Sequence, residues 1–358
     1  MLFIHGRPGP HPFHGYLARS VNAEFVFCDA FLRWHDRPTS LLRKLASWLV
    51  TALFLPNKTE YDLLLSEGPH IQHVLMRRLR LLRNTQRTAA LLDDQTLYFV
   101  STKYHSTRTC VFFRWLLSSY DALICIGSME TELAHRILQG SRKKPLILNV
   151  SSAVDAKRAN ELAHVRPQLV SETILFVARG PGGWKVWCKG LDLILETFAL
   201  AQRSRKSLRL MIVGHWGADT LAELMSRFRL TRSVVEYVGE TPNIGTLFSA
   251  ASLYLHLGRG DAFAISVLEA MIAGLPALVS KWTGAREATA KVHPRFVVDI
   301  DPRQAADHIL WYFNLPVSDR LAISATARAV ACEYTELRAQ AQFKRAVEKI
   351  IASPGRHR

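Results

Sequence analysis

An α/β protein with two doubly wound parallel sheets is the fold class this sequence predicts, and three observations predict it. Short apolar runs rich in β-branched residues alternate with helical patterns along most of the chain. The alternation comes in two series, separated by a polar stretch at 148–172 that lacks a sustained apolar period. The length, 358 residues, is long for one hydrophobic core and comfortable for two.

The elements follow in order. "MLFIH" reads as a first strand running into a glycine-rich loop, "HGRPGPHPFHG" at 5–15. "AEFVFCD" (23–29), "DLLLSEG" (62–68), "TAALL" (88–92) and "ALICIGS" (122–128) read as buried strands of the first series. The second series is "TILFVAR" (173–179), "LRLMIVG" (208–214), "VVEYVG" (234–239), "LYLHLG" (253–258) and "PALVS" (276–280). We expect domains at 1–165 and 166–340, with 341–358 a final helix and tail packing back on the first domain. Ligands of open α/β sheets bind beyond the carboxyl ends of the strands, so two facing domains would offer a shared central cleft.

Composition narrows the class. Apolar residues make up 49% and charged residues 21%, ordinary for a soluble globular protein. No window of eighteen apolar residues occurs, and "LASWLVTALFLP" at 45–56 is too short to span a bilayer. The first residues lack the charged start, apolar centre and small-residue cleavage site of a signal peptide. Five scattered cysteines without a CxxC pair suit a reducing compartment, and the expectation is a cytoplasmic protein.

The formal charge of +16 implies attraction to a polyanion. One dense cluster, "MRRLRLLRNTQR" at 76–87, alternates Arg77, Arg78, Arg80, Arg83 and Arg87 with leucines. It reads as an amphipathic helix able to lie on an anionic membrane, or equally as a solvated helix face. The stretch 38–56, with Arg43 and Lys44 beside Trp48, reads as a core helix or an interfacial one. Together they favour peripheral attachment to the inner face of a membrane. Aromatics do not interleave with the basic cluster, so nucleic acid is not the expected partner.

The chemistry concentrates in "GDAFAISVLEAMIAGLP" at 260–276. Ser266 and Glu269 form S-x-x-E, which fits a capping box at a helix start, and Asp261 fits a turn. A second reading is functional. Backbone N–H groups of Phe263, Ala264 and Ile265 would gather at a positive helix N-terminus, a natural phosphate site flanked by two carboxylates that can accept sugar hydroxyls. A sugar nucleotide suits such a site.

This stretch resembles the E-x7-E signature of the glycosyl transferases group 1 family, retaining enzymes with the GT-B fold of two Rossmann-like domains facing a cleft. Against the family pattern E-G-F-G-L-x-x-L-E-A-M-A-x-G-x-P-V-V, the chain has D-A-F-A-I-S-V-L-E-A-M-I-A-G-L-P-A-L. It departs at Asp261 (Glu), Ala262 (Gly) and Ala264 (Gly), and aspartate is one methylene shorter. "ILFVARG…KGLDLILETFA" is similar to the family's first strand–loop–helix, "LRLMIVGHW" to the strand ending in a glycine turn at Gly214, and "TGARE" (283–287) to its G-G-x-x-E turn.

The resemblance implies residue roles. Arg179 and Lys189 would neutralise the leaving diphosphate, with Lys185 a rival for the lysine role. Glu269 would hold the ribose and Asp261 the transferred sugar. Gly6, in the glycine-rich first loop, would let a phosphate approach. The first domain would bind the acceptor, lipid-linked or glycan, with His14, Asp93 and Asp94 as candidates; relatives carry His-Asp where this chain has Asp93-Asp94. "SSAVD" (151–155) resembles the linker motif N-G-V-D. No cofactor is implied beyond the nucleotide-sugar donor, and no metal is required. Two rivals stay open: a non-catalytic scaffold or regulator of the same fold, and a basic nucleic-acid-binding protein.

Overall fold

The computed structural model describes residues 1–5, 12–27, 61–79, 82, 85–180 and 182–354. The chain divides into two units, Met1–Ser152 with Glu336–Arg358, and Ala153–Thr335.

The first unit holds β1 (Leu2–His5), β2 (Glu24–Phe27), β3 (Leu63–Glu67), β4 (Arg87–Leu92), β5 (Ala122–Ile126) and β6 (Leu146–Val150). They form a parallel sheet in the order β2-β1-β3-β4-β5-β6. The central runs are largely apolar because helices cover both faces: every residue of β5 is buried, and so are Ala89–Leu92 of β4. The last helix, Glu336–Ala352, belongs to this unit. It packs against β6 and the helix Pro12–Arg19 through one apolar face that buries Ala339, Phe343, Val347 and Ile350. Polar ties fix its register: Gln342 Oε1 accepts from Ser151 N at 2.7 Å, and Arg87 donates to the Ser353 carbonyl at 2.8 Å.

The second unit repeats the architecture with β7 (Thr173–Val177), β8 (Arg209–Val213), β9 (Val235–Gly239), β10 (Leu253–His256), β11 (Ala277–Ser280) and β12 (Val297–Val298). The order is β12-β11-β10-β7-β8-β9, again parallel. Phe176, Phe198, Leu255, Phe296 and Tyr312 are buried in its core. Each such side chain contributes about 1.5–3 kcal/mol on burial. Chain order reverses between β7 and β10, and the loops leaving those two strands meet at the switch point where open α/β sheets place ligands. In the first unit the reversal lies between β1 and β3.

All ten strands read from the sequence are present, and the two-sheet α/β class holds. Two strands escaped it, β6 and the two-residue β12. The segment 148–172, read as lacking a sustained apolar period, contains the end of β6 and a helix, Ala156–Ala163, capped by Asp155 Oδ1 on Arg158 N at 3.0 Å. The cationic helix expected over 76–87 stops at Arg78, with Leu79 as its C-cap, and Arg87 opens β4. The reason is local: Arg77 forms a forked pair with Asp121 at 2.8 and 2.6 Å, and Arg87 must align with β3. Arg78 lies over the Trp115 ring, 5.1 Å from its centroid. Arg80 and Arg83 lie outside the described residues, as does the stretch 38–56. Among the described residues no helix is long and apolar enough to cross a membrane.

Candidate functional site

The loop after β10 carries the acid pair, and glycines decide how closely its neighbours approach. Gly190 has φ +72°, and a Cβ there would stand 2.0 Å from the Leu257 carbonyl oxygen. The Lys189-Gly190 backbone therefore lies against the loop 257–264, and Lys189 Nζ reaches Asp261 Oδ2 at 2.7 Å. On the other side of the loop, a Cβ at Gly284 would stand 1.6 Å from the Ala262 carbonyl, so the TGARE turn also needs its glycine for contact. Arg259 completes the fixing: its backbone N–H donates to Cys188 O at 2.7 Å, and its guanidinium makes two 2.8 Å bonds to the Asp192 carboxylate. That forked geometry is the strong form of an ion pair.

Asp261 is 7% exposed and fully engaged. Oδ2 accepts from Lys189 Nζ and from His256 Nε2 at 3.0 Å, while Oδ1 accepts from Ala264 N at 3.1 Å. Burial pushes its pKa up, but the Lys189 charge and the His256 hydrogen bond outweigh burial and hold the carboxyl well below the usual range. An ionised carboxylate only accepts, so His256 Nε2 carries the proton. Its Nδ1 is buried without a hydrogen-bond partner among the described residues. Gly258 leaves room for the imidazole and carboxylate to meet, since a Cβ there would stand 3.0 Å from His256 Nε2. Cys188 is no nucleophile: burial pushes its thiol up to about 12.

Glu269 lies on the helix Ile265–Ile272, and its Oε1 accepts from Arg158 Nε at 3.2 Å. Burial raises its carboxyl above the glutamate range, and Arg158 pulls it back. The capping box does not form. The N-cap is Ala264, and the Ser266 hydroxyl instead meets Tyr254 Oη at 2.8 Å and Val177 O at 3.3 Å. Ala264 adopts φ +55°, ψ +72°, the left-handed region that favours glycine, where the related motif has glycine.

Arg179, two residues past the end of β7, places Nε 2.8 Å from Glu240 Oε1 in an exposed pair. Lys185 sits one helical turn before Lys189 on Trp184–Lys189, with Nζ 6.0 Å from the Trp184 ring centroid. Of the three amides expected to cradle a phosphate, Ala264 N–H is engaged by Asp261; Phe263 packs on Tyr334 at 5.7 Å, and Ile265 opens the helix. At Gly214, φ +109°, a Cβ would stand 1.9 Å from Ala178 O, so this glycine serves strand-end packing. Gly6 lies outside the described residues.

In the first unit, His14 Nε2 lies 2.8 Å from Asp93 Oδ2, and the histidine is buried. Asp94 caps a turn, accepting from Thr96 N at 2.9 Å. His14, Glu67 and Asp93 hold one ligand atom each within 4.8 Å of one another, at the carboxyl ends of β3 and β4 and the start of the helix after β1. This is a donor set a divalent cation could use. His256 and Arg158 were absent from the sequence reading.

Residues 171–330 match the family model described as glycosyl transferases group 1. No curated protein matches the chain in sequence. Among solved structures, S. aureus TarM in complex with fondaparinux, alpha-GlcNAc-glycerol and UDP is similar at 14% identity and a TM-score of 0.64, over 86% of this chain and 59% of that one. The chain thus spans about three fifths of the length of TarM. HepE from Anabaena, in complex with UDP and glucose, is similar at 15% identity and a TM-score of 0.68, over 98% of this chain and 100% of that one. WaaG, a glycosyltransferase involved in lipopolysaccharide biosynthesis, is similar at 16% identity and a TM-score of 0.65, over 99% of this chain and 100% of that one. The shared feature is the fold, that of the GT-B glycosyltransferases.

Proposed function

On the premise that residues 171–330 carry the glycosyl transferases group 1 pattern, we propose that this protein transfers a sugar from a nucleoside-diphosphate sugar to a hydroxyl acceptor. The observation that carries the reading is the meeting of Lys189, His256 and Asp261 at the switch point of the matched unit. Lys189 has three donors and gives one to Asp261, leaving two for a diphosphate. Its charge is fixed before the reaction, which is what stabilises a leaving group as negative charge develops. Oδ2 of Asp261 already accepts from Lys189 and His256, but Oδ1 accepts only from Ala264 N and keeps a lone pair for a sugar hydroxyl. Glu269 holds the ribose, and the Phe263 and Ile265 amides face the diphosphate together with Arg179 or Lys185. Transfer is with retention, by a front-face reaction that needs no protein nucleophile. No cofactor or metal is assigned to the donor site. The first unit takes the acceptor, a lipid-linked or glycan hydroxyl, beside His14, Asp93 and Asp94; the UDP-bound TarM and HepE neighbours make UDP the first donor base to try.

The burial and full engagement of Asp261 favour one rival, a nucleotide-binding protein of the same fold that transfers nothing. A thermal-shift panel with UDP, GDP, ADP, dTDP and CMP, followed by donor hydrolysis and transfer assays, tests both. A nucleotide at one hundred times its Kd stabilises by about 2.7 kcal/mol. Stabilisation with turnover supports the transferase, stabilisation without hydrolysis or transfer supports the rival, and no stabilisation by any nucleotide refutes both.

A further inference from the structure

We propose that Arg158 is a positioning residue of the nucleotide site: by holding one oxygen of the Glu269 carboxylate it aims the other at the ribose hydroxyls, and so sets the preference for ribonucleotides over deoxyribonucleotides. The proposal rests on the reading of Glu269 as the ribose residue.

Arg158 is built into place. Asp155 caps its helix by accepting from the Arg158 backbone N–H itself, at 3.0 Å. That helix packs against Ile265–Ile272, which carries Glu269. The side chain reaches Glu269 Oε1 through Nε at 3.2 Å, and its Nη1 lies 3.6 Å from Glu161 Oε2 on the outer side. The two side chains of the inner pair are only 29% and 21% exposed, so the contact is sheltered from solvent screening. Glu269 Oε2 has no hydrogen-bond partner among the described residues.

The chemistry follows from that asymmetry. A glutamate alone on a helix must give up rotamer freedom when it accepts hydrogen bonds from a diol. With Oε1 held, the carboxylate plane is fixed in advance, and Oε2 keeps two lone pairs for adjacent hydroxyls. Arg158 also supplies the charge that keeps a mostly buried carboxylate ionised, the form that accepts from both hydroxyls. A residue serving only to join two helices would alter stability and leave ribose selectivity untouched.

The test is calorimetric titration of UDP, GDP and ADP, each with its 2′-deoxy and 3′-deoxy counterparts, against wild type, Glu269→Gln, Arg158→Met and Arg158→Lys. Wild type should prefer the ribonucleotide by about tenfold or more. Arg158→Met should bring that ratio close to that of Glu269→Gln, with deoxynucleotide affinity unchanged within about twofold, and Arg158→Lys should recover part of it. Should Arg158→Met fail to fold, the ratio in Arg158→Lys decides by the same criterion. If Glu269→Gln abolishes the preference and the Arg158 variants keep it, the proposal is overturned and the ribose reading stands. An equal loss of both nucleotide forms in Arg158→Met also overturns it, since Arg158 then acts on the diphosphate or on folding. If wild type shows no preference, or Glu269→Gln retains it, or no nucleotide binds, the ribose reading and the proposal fall together.

Discussion

Gly190 Cα and the Leu257 carbonyl are so close that the smallest possible side chain at position 190 would overlap the oxygen, 2.0 Å from it. The Lys-Gly pair is thus a packing device that delivers a cation. The contact brings Lys189 to Asp261, and Arg259 binds both loops from the far side.

Gly190→Ala should therefore cost at least about 2 kcal/mol, combining a left-handed φ with a backbone displacement. Donor turnover should fall further than stability explains, because Lys189 moves with the loop. Urea unfolding and donor hydrolysis at matched folded fraction would measure this. Wild-type turnover in the variant would remove the link between the glycine and the lysine.

Lys189 and Asp261 should be strongly coupled. Lys189→Met leaves Asp261 buried with His256 as its one side-chain partner, and Asp261→Asn leaves a sheltered ammonium. Each loss should be on the order of 3 kcal/mol, somewhat less for Lys189 because of its partial exposure. The double variant should be less destabilised than the sum of the singles by about 1–3 kcal/mol. Additive denaturation midpoints would mean that the two charges are separately solvated.

Ala264→Gly should be neutral to stabilising by up to about 1 kcal/mol. Relief of the left-handed strain at φ +55° is opposed by the greater entropy of glycine in the unfolded chain. Thermal denaturation reads it, and a clear destabilisation would show that the alanine methyl, 9% exposed, matters more as packing. Nucleotide affinity should rise if a phosphate approaches the backbone here.

The two acids should give opposite pH signatures. The depressed pKa of Asp261 contributes stability that is present above its unfolded pKa and is lost as pH falls through the folded one. Stability from this residue should hold from neutral pH to about pH 4 and decline only below that. Glu269, raised by burial against the opposing Arg158 charge, protonates earlier on acidification. Nucleotide affinity should accordingly fall with a midpoint above the ordinary glutamate range while the fold persists. Affinity and fold lost together, at one midpoint, would contradict the separation of the two acids.

Most strands are buried on both faces and announce themselves as continuous apolar runs. The edge strands β2 and β9 keep an apolar run despite exposed positions, so ten strands were legible in the sequence. β6 was not: only Val150 is buried, Asn149 is exposed, and its run continues into the polar stretch after it. At the site, Asp261, Glu269 and Lys189 were legible by motif. His256 was hidden inside "LYLHLG", where one imidazole in a buried strand carries no periodic signal. Arg158 stood in a polar segment and gained its meaning only when its helix was packed on another. The capping box failed for a related reason. Ser266 has the right spacing from Glu269, but Tyr254 and the Val177 carbonyl lie beside its hydroxyl, and Ala264 has already turned the chain into the helix.

The return of Glu336–Ala352 to the first unit makes the second unit an insertion within the first. A ribosome therefore completes the strands of the first sheet by Val150, yet delivers the helix that shields β6 only after Thr335. During synthesis the inserted guest can close its own core while its host still waits for the helix that follows the guest.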